Sequence, residues 1–176
     1  MLDSQIAVLI QQIFTASLIG VWSAIALARV WIFLFFPILA WLWVYGSHAD
    51  KHAVKESLWS AGLALLAAEI ISIFFMRVRP FLYVSNIVAL IPPPLTSSFP
   101  SSHTAVSFAI ACALLYTNRQ VGWIAIFVAL GVACGRIAAG VHYPTDIIGG
   151  ILIGLLSCIL VRYGHKLLRK NAREKH

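Results

Sequence analysis

Long apolar runs separated by short polar ones dominate the chain. Val30 to Tyr45 is an apolar stretch rich in Trp and Phe, and the polar loop Gly46-Ser-His-Ala-Asp-Lys-His52 follows it. Leu58 to Met76 form the next apolar run, and a proline-containing segment then extends from Arg77 to Pro100. Ser102 to Tyr116 make a third run, ended by Asn118-Arg119. Val121 to about Ala139 make a fourth, and Thr145 to Val161 a fifth. A bilayer-crossing helix needs about 20 apolar residues, within a range of roughly 17–25. The pattern therefore predicts five spanning helices, the first and third a little short.

The N-terminal forty residues are less determinate. Ile6 to Tyr45 is nearly continuous apolar sequence, and as one helix it would be about 60 Å long. That is twice the hydrocarbon thickness, so the run must break, between Ala16 and Arg29. Residues 1–28 then form either a sixth span or a helix lying at the membrane interface. Gln11-Gln12 within the run favours the interfacial version. The expected fold is an all-α integral membrane protein, a bundle of five transmembrane helices plus an N-terminal interfacial helix. The alternative has six transmembrane helices.

Composition agrees with that compartment. Of the 176 residues, 61% are hydrophobic and 11% charged, and mean hydropathy is +0.90. Soluble domains carry about 45–50% apolar and 25% charged residues, so this chain has more apolar surface than a water-soluble core absorbs. The length suits a single membrane-embedded domain over 1–176. Met1-Leu-Asp-Ser-Gln5 has no basic stretch of the kind that opens a cleavable signal. Cys112, Cys134 and Cys158 all lie in apolar runs, and their odd, scattered placement suggests neither a disulfide frame nor a metal cluster.

A net charge of +7 invites a nucleic-acid reading, but its distribution speaks against one. Arg162, Lys166, Arg169, Lys170, Arg173 and Lys175 crowd residues 162–176, the pattern of a cytoplasmic membrane flank. With Lys51, Lys55 and Arg119 they place nine of the thirteen Lys and Arg residues on one side, which should be cytoplasmic. Arg29, Arg77, Arg79 and Arg136 fall on the opposite side, where the insertion rule disfavours them. Their retention there points to chemistry on an extracytoplasmic face.

Two motifs supply that chemistry. Phe99-Pro-Ser-Ser-His-Thr104 opens the third run, and Gly135-Arg-Ile-Ala-Ala-Gly-Val-His-Tyr-Pro-Thr-Asp146 leads into the fifth. Arginine meets phosphate oxygens through a planar fork, so Arg79 and Arg136, from different loops on one face, would close on one anion. Taken singly, each would as readily bind a lipid headgroup or a backbone carbonyl. Ser101 and Ser102 at a helix start suit an anion, which exposed amides and the helix dipole attract. His103 on the first turn is placed to protonate a leaving oxygen. Asp146, four residues after His142, is spaced to accept a hydrogen bond from one imidazole nitrogen and free the other as a nucleophile. A carboxylate that merely satisfies a buried histidine is the plainer alternative.

Together these residues resemble the type-2 phosphatidic acid phosphatase superfamily of membrane lipid phosphatases. Its pattern is a lysine seven positions before Arg-Pro, then Pro-Ser-Gly-His, then Ser-Arg, five residues, His, three residues and Asp. Arg79-Pro80, Pro100-Ser101-Ser102-His103, and Gly135-Arg136 with His142 and Asp146 match it over roughly residues 50–165. The short length and Arg79-Pro-Phe before a long loop look most like bacterial undecaprenyl pyrophosphate phosphatases of the bacitracin-resistance type. The resemblance implies His142 as a nucleophile forming a phosphohistidine, Asp146 as its orienting partner and His103 as the acid. It implies Arg79, Arg136, Ser101 and Ser102 as phosphate-binding residues, with no metal and no cofactor. The substrate it implies is undecaprenyl diphosphate, met in the bilayer at the extracytoplasmic face of a bacterial plasma membrane. A phosphatidylglycerophosphate or phosphatidate phosphatase, or a lipid phosphotransferase, would use the same residues.

Three positions depart from the pattern: Ser72 replaces the lysine, Ser102 the glycine and Gly135 the serine. Arg77 is the candidate to supply the missing charge. Glu69 sits mid-run as a proton relay, a lipid gate or a structural glutamate. Gly150 with Gly154, and Gly131 with Gly135, read as close helix packing. Phe81 to Pro94 forms either a wall of a lipid entrance or a capping loop.

Overall fold

A computed structural model describes residues 2–92 and 96–173, with side chains through Leu167. Pro94 of the expected wall and Lys175 of the tail lie outside the described residues, as do the side chains of Arg169, Lys170 and Arg173. The described elements are helical: α1 (Leu2–Thr15), α2 (Leu18–Arg29), a 3₁₀ turn (Trp31–Leu34), α3 (Phe35–Tyr45), α4 (His48–Phe75), a one-turn α5 (Pro80–Tyr83), α6 (Ser102–Thr117), α7 (Arg119–Ala138) and α8 (Pro144–Arg173). α4, α7 and α8 are long and apolar enough to cross a bilayer, and the other two expected spans appear as the shorter apolar segments Trp31–Tyr45 and Ser102–Thr117. Large side chains such as Trp59, Phe74, Trp123, Phe127, Leu156 and Leu160 are exposed on the outside of the bundle. That surface is what lipid tails solvate and water does not.

The N-terminal run breaks at Ala16–Ser17, and α1 and α2 meet at 120°, so they do not form one straight span. Ser17 caps α2, its hydroxyl accepting from the Gly20 amide at 3.1 Å. Gly20 is required there, because a Cβ would lie 2.1 Å from the Phe14 carbonyl oxygen. The polar run 46–52, read as a loop, is largely the first turn of α4. Ser47 and Asp50 form a capping box that starts the helix early, with Ser47 N–H donating to Asp50 Oδ2 at 2.9 Å and Asp50 N–H to Ser47 Oγ at 3.2 Å. α8 likewise continues past Val161 to Arg173, since Leu, Lys and Arg are good helix formers. Arg162 donates to Glu56 of α4 at 2.6 Å, which ties the tail to the bundle.

α6 sits at the centre, packed on α4, α7 and α8, and is buried nearly throughout from Thr104 to Leu114. Small residues make this possible. A Cβ on Gly150 would come within 2.6 Å of Ser101 O, and one on Gly154 within 2.5 Å of Ala105 O. Gly131 and Gly135 of α7 receive the Trp31 indole and the α2 backbone respectively. Both glycine pairs thus serve close packing, as their spacing predicted. Cys112, Cys134 and Cys158 are free thiols.

One end of the bundle carries the end of α4, the starts of α6 and α8, and residues 77–92 and 96–100. At the other end Asn118, the N-cap of α7, donates to Asp50 of α4 at 3.1 Å. Gln11 of α1 fastens the N-terminal pair to the first end. Its amide donates to Val88 O at 2.8 Å and Ala138 O at 3.2 Å, and its oxygen accepts from Val88 N at 3.0 Å. Buried Ile87 and Ile91 make the segment after α5 a cap, while Phe81 and Leu82 line a cavity beside it. Glu69 is exposed on α4.

Candidate active site

The chain reverses between α7 and α8 through Gly140, whose φ of +76° suits glycine. This turn buries His142, and Pro144 then opens α8 with Asp146 in its first turn. The expected Asp146–His142 hydrogen bond is not made: His142 Nδ1 lies 3.6 Å from Asp146 Oδ2. Nδ1 instead sits 2.8 Å from the Ser98 carbonyl oxygen. An oxygen acceptor requires the proton on Nδ1, which leaves Nε2 its lone pair. Burial pushes the His142 imidazole down to about 4, against the pull of Asp146 and reinforced by Arg136 and Arg79. At neutral pH it is an uncharged base.

Asp146 acts one step away from the ring. Its Oδ2 accepts from the Ser98 hydroxyl and, at 2.7 Å, from the Tyr143 amide. Its backbone oxygen accepts from the Ser101 amide at 3.1 Å. The buried carboxylate therefore fixes the residue whose carbonyl orients His142, and the backbone of the same residue anchors the start of α6. Ser98 was not legible in the sequence, because its role rests on a contact with residues 44 and 48 positions away.

Arg79 is buried, with Nε on Thr96 O (2.9 Å), Nη1 on Val141 O (2.9 Å) and Nη2 on Ser97 O (2.9 Å) and Thr96 Oγ1 (3.2 Å). Nη1 also lies 3.5 Å from His142 Nε2. The guanidinium is held in place by neutral acceptors and keeps its net charge for an anion. Arg136 is equally buried and donates from Nη1 to Ala28 O at 3.3 Å, while among the described residues its Nε has no partner. A desolvated guanidinium with an unused N–H leaves hydrogen-bonding capacity for a ligand.

His103 stands in the first turn of α6, in the neighbourhood of Arg136, His142 and Arg79. Ser101 is the N-cap of α6 but does not cap it with its side chain; its hydroxyl accepts from Thr104 Oγ1 at 3.0 Å. Ser102 follows, half-buried. The structure thus gathers Arg79, Arg136, Ser101, Ser102, His103, His142 and Asp146 at one end of the bundle. Arg77 is differently engaged. Nη1 donates to Asp146 Oδ1 and Thr145 Oγ1, both at 2.6 Å, Nη2 donates to Asp3 at 2.5 Å, and the guanidinium stacks 4.1 Å from the Tyr143 ring.

A cavity of about 620 Å³ opens beside Arg79, walled by Ser72, Ile73, Met76, Phe81, Leu82 and Thr96 among others. Its neighbours Phe74, Phe75, Val78 and Tyr83 are exposed. An apolar groove thereby runs up to the buried Arg79.

Known proteins resemble this chain in sequence and in fold. The chain is 32% identical over 134 residues to undecaprenyl-diphosphatase BcrC of Bacillus subtilis (strain 168), covering 75% of this chain and 68% of that protein. It is 33% identical over 119 residues to bacitracin transport permease protein BcrC of Bacillus licheniformis, covering 68% and 59%. The crystal structure of Aquifex aeolicus LpxE superposes with a TM-score of 0.71 at 26% identity, covering 93% of this chain and 96% of that one. The PAP2 superfamily pattern matches residues 53–170. The chain belongs to the PAP2 superfamily.

Proposed function

We propose that the protein hydrolyses an isoprenoid lipid diphosphate, releasing phosphate and leaving the lipid monophosphate, without a metal ion. The observation that carries the chemistry is the His142 ring. Its Nδ1 is fixed on Ser98 O, and its Nε2 lies beside Arg79 in a buried recess with Arg136. A terminal phosphate held by the two arginines would sit against Nε2. His142 Nε2 attacks that phosphorus, and the bond to the bridging oxygen breaks. His103 gives its proton to the departing lipid phosphate. Water then attacks the phosphohistidine, His103 takes its proton, the P–N bond breaks and orthophosphate leaves.

The substrate assignment rests on likeness to BcrC, named an undecaprenyl-diphosphatase. The groove lined by Ile73, Met76, Phe81 and Leu82 supports it by offering an apolar path for a lipid tail. The nine basic residues assigned to the opposite end support a site on the extracytoplasmic face of a bacterial plasma membrane. The test is phosphate release by the purified protein, with a strong chelator present, from polyprenyl diphosphate, phosphatidylglycerophosphate and phosphatidate. Fastest turnover of the diphosphate supports the reading. Preference for either glycerolipid, or phosphoryl transfer to an added acceptor lipid in place of phosphate release, moves the assignment to that activity.

A further inference from the structure

The PAP2 match begins at residue 53, yet a side chain from the second residue of α1 reaches the site. We propose that Asp3 is a positioning residue for the hydrolysis: it holds Arg77 on Asp146 and away from the incoming phosphate. This rests on the function proposed above.

Asp3 Oδ2 accepts from Arg77 Nη2 at 2.5 Å and from Thr145 Oγ1 at 2.6 Å, and Oδ1 accepts from the Thr145 amide at 3.1 Å. The same Arg77 donates through Nη1 to Asp146 Oδ1 at 2.6 Å. Asp146 then binds the Ser98 hydroxyl, and the Ser98 carbonyl orients His142. The order Asp3–Arg77–Asp146–Ser98–His142 is an unbroken chain of contacts from the N-terminal helix to the nucleophile.

Arg77 is the member with somewhere else to go. Its side chain is 32% exposed, against 0% for Asp146, and it also lines the cavity beside Arg79. A guanidinium on a flexible stem goes to the best anion available. With Asp3 in place, two carboxylates hold its fork from both sides. Without Asp3, a diphosphate arriving in the cavity competes with one carboxylate, Asp146, and the neutral Thr145 hydroxyl. Arg77 then moves onto the substrate, which binds more tightly, while Asp146 loses a charge-assisted bond and His142 its fixed orientation. Removing Asp3 should therefore lower kcat and KM together. A merely structural defect lowers the active fraction and leaves KM where it was.

The experiment is steady-state kinetics on full-length Asp3→Asn with polyprenyl diphosphate, beside the affinity for inorganic phosphate measured without turnover. A charged, partly buried hydrogen bond of this kind corresponds to roughly tenfold. The expected result is kcat down about tenfold, with KM and the phosphate dissociation constant down about threefold to tenfold. Asp3→Glu should recover most of kcat. Adding Arg77→Gln to Asp3→Asn should return phosphate affinity to or below that of the wild type. Thr145→Val removes the hydroxyl shared by Asp3 and Arg77 but keeps the backbone bond. It is expected to move both constants the same way, less far, and serves if Asp3→Asn does not fold. Wild-type constants in Asp3→Asn, or a kcat loss with unchanged phosphate affinity, would overturn the proposal. Wild-type protein inactive on the diphosphate overturns the functional reading instead, and the phosphate affinities still test Asp3.

Discussion

Restoring the superfamily's serine at position 135 should damage this protein. Gly135 faces the backbone of α2, and a Cβ there would lie 2.5 Å from the Leu27 carbonyl carbon and 2.6 Å from both the Ala28 nitrogen and Leu27 Cβ. Ordinary contact begins at 3.4 Å, so α2 must retreat by about 0.9 Å, and backbone atoms cannot rotate out of the way. The same stretch of α2 presents Ala28 O to Arg136 Nη1 at 3.3 Å, already a long hydrogen bond. A shift of that size ends it and leaves the buried guanidinium without its anchor. Overpacking typically costs about 1–3 kcal/mol, and the lost bond adds about 1 kcal/mol. Gly135→Ser in detergent or nanodiscs should therefore unfold about 5 °C or more lower, with kcat/KM down about tenfold. Gly135→Ala should behave alike, because the clash belongs to Cβ and not to the hydroxyl. Gly62→Ala is the control, having nothing within 4 Å of the added atom. Wild-type stability and activity in Gly135→Ser would refute the seating of α2 on α7.

Other outcomes follow from the same contacts. Gln11→Ala removes three hydrogen bonds at a buried position and strands the Val88 amide, so thermal stability should fall by about 2–4 kcal/mol, read as a lower Tm. Because burial holds His142 down to about 4, the nucleophile stays neutral as pH falls from 7 through the ordinary histidine range near 6.5. The pH profile of kcat/KM, which reports the free enzyme, corrected for titration of the substrate, should show its His142-dependent acid limb near pH 4; a limb near 6.5 would contradict the buried site.

How much of this was legible beforehand depended on range. The spans could be read because a bilayer forces long apolar runs, and the two motifs could be read because they place charge at helix starts. The capping box at Ser47 and Asp50 was also present in the sequence, and it makes residues 48–52 helical. The N-terminal break was ambiguous because both placements need the same apolar residues; Ser17 and Gly20 were its local signals. The orienting partner of His142 was not legible. Spacing of four residues suggested Asp146, but the Tyr143 amide and the Ser98 hydroxyl take its Oδ2, and the ring finds a carbonyl from a distant loop. Arg77 filled a charge vacancy on paper, and only three-dimensional packing brings Asp3 to it. Gly135 departed from the serine of the pattern and its spacing from Gly131 read as close packing; only the fold shows that α2 is what packs there.

The central claim is that His142 becomes covalently phosphorylated during turnover. The most direct measurement is rapid quench of the purified protein with polyprenyl diphosphate labelled in the terminal phosphate, followed by peptide mapping under alkaline conditions that preserve phosphohistidine. The account predicts acid-labile label on the peptide containing His142, formed and lost at rates consistent with kcat and absent from His142→Ala. Label on another residue, or near-normal phosphate release by His142→Ala, would contradict it.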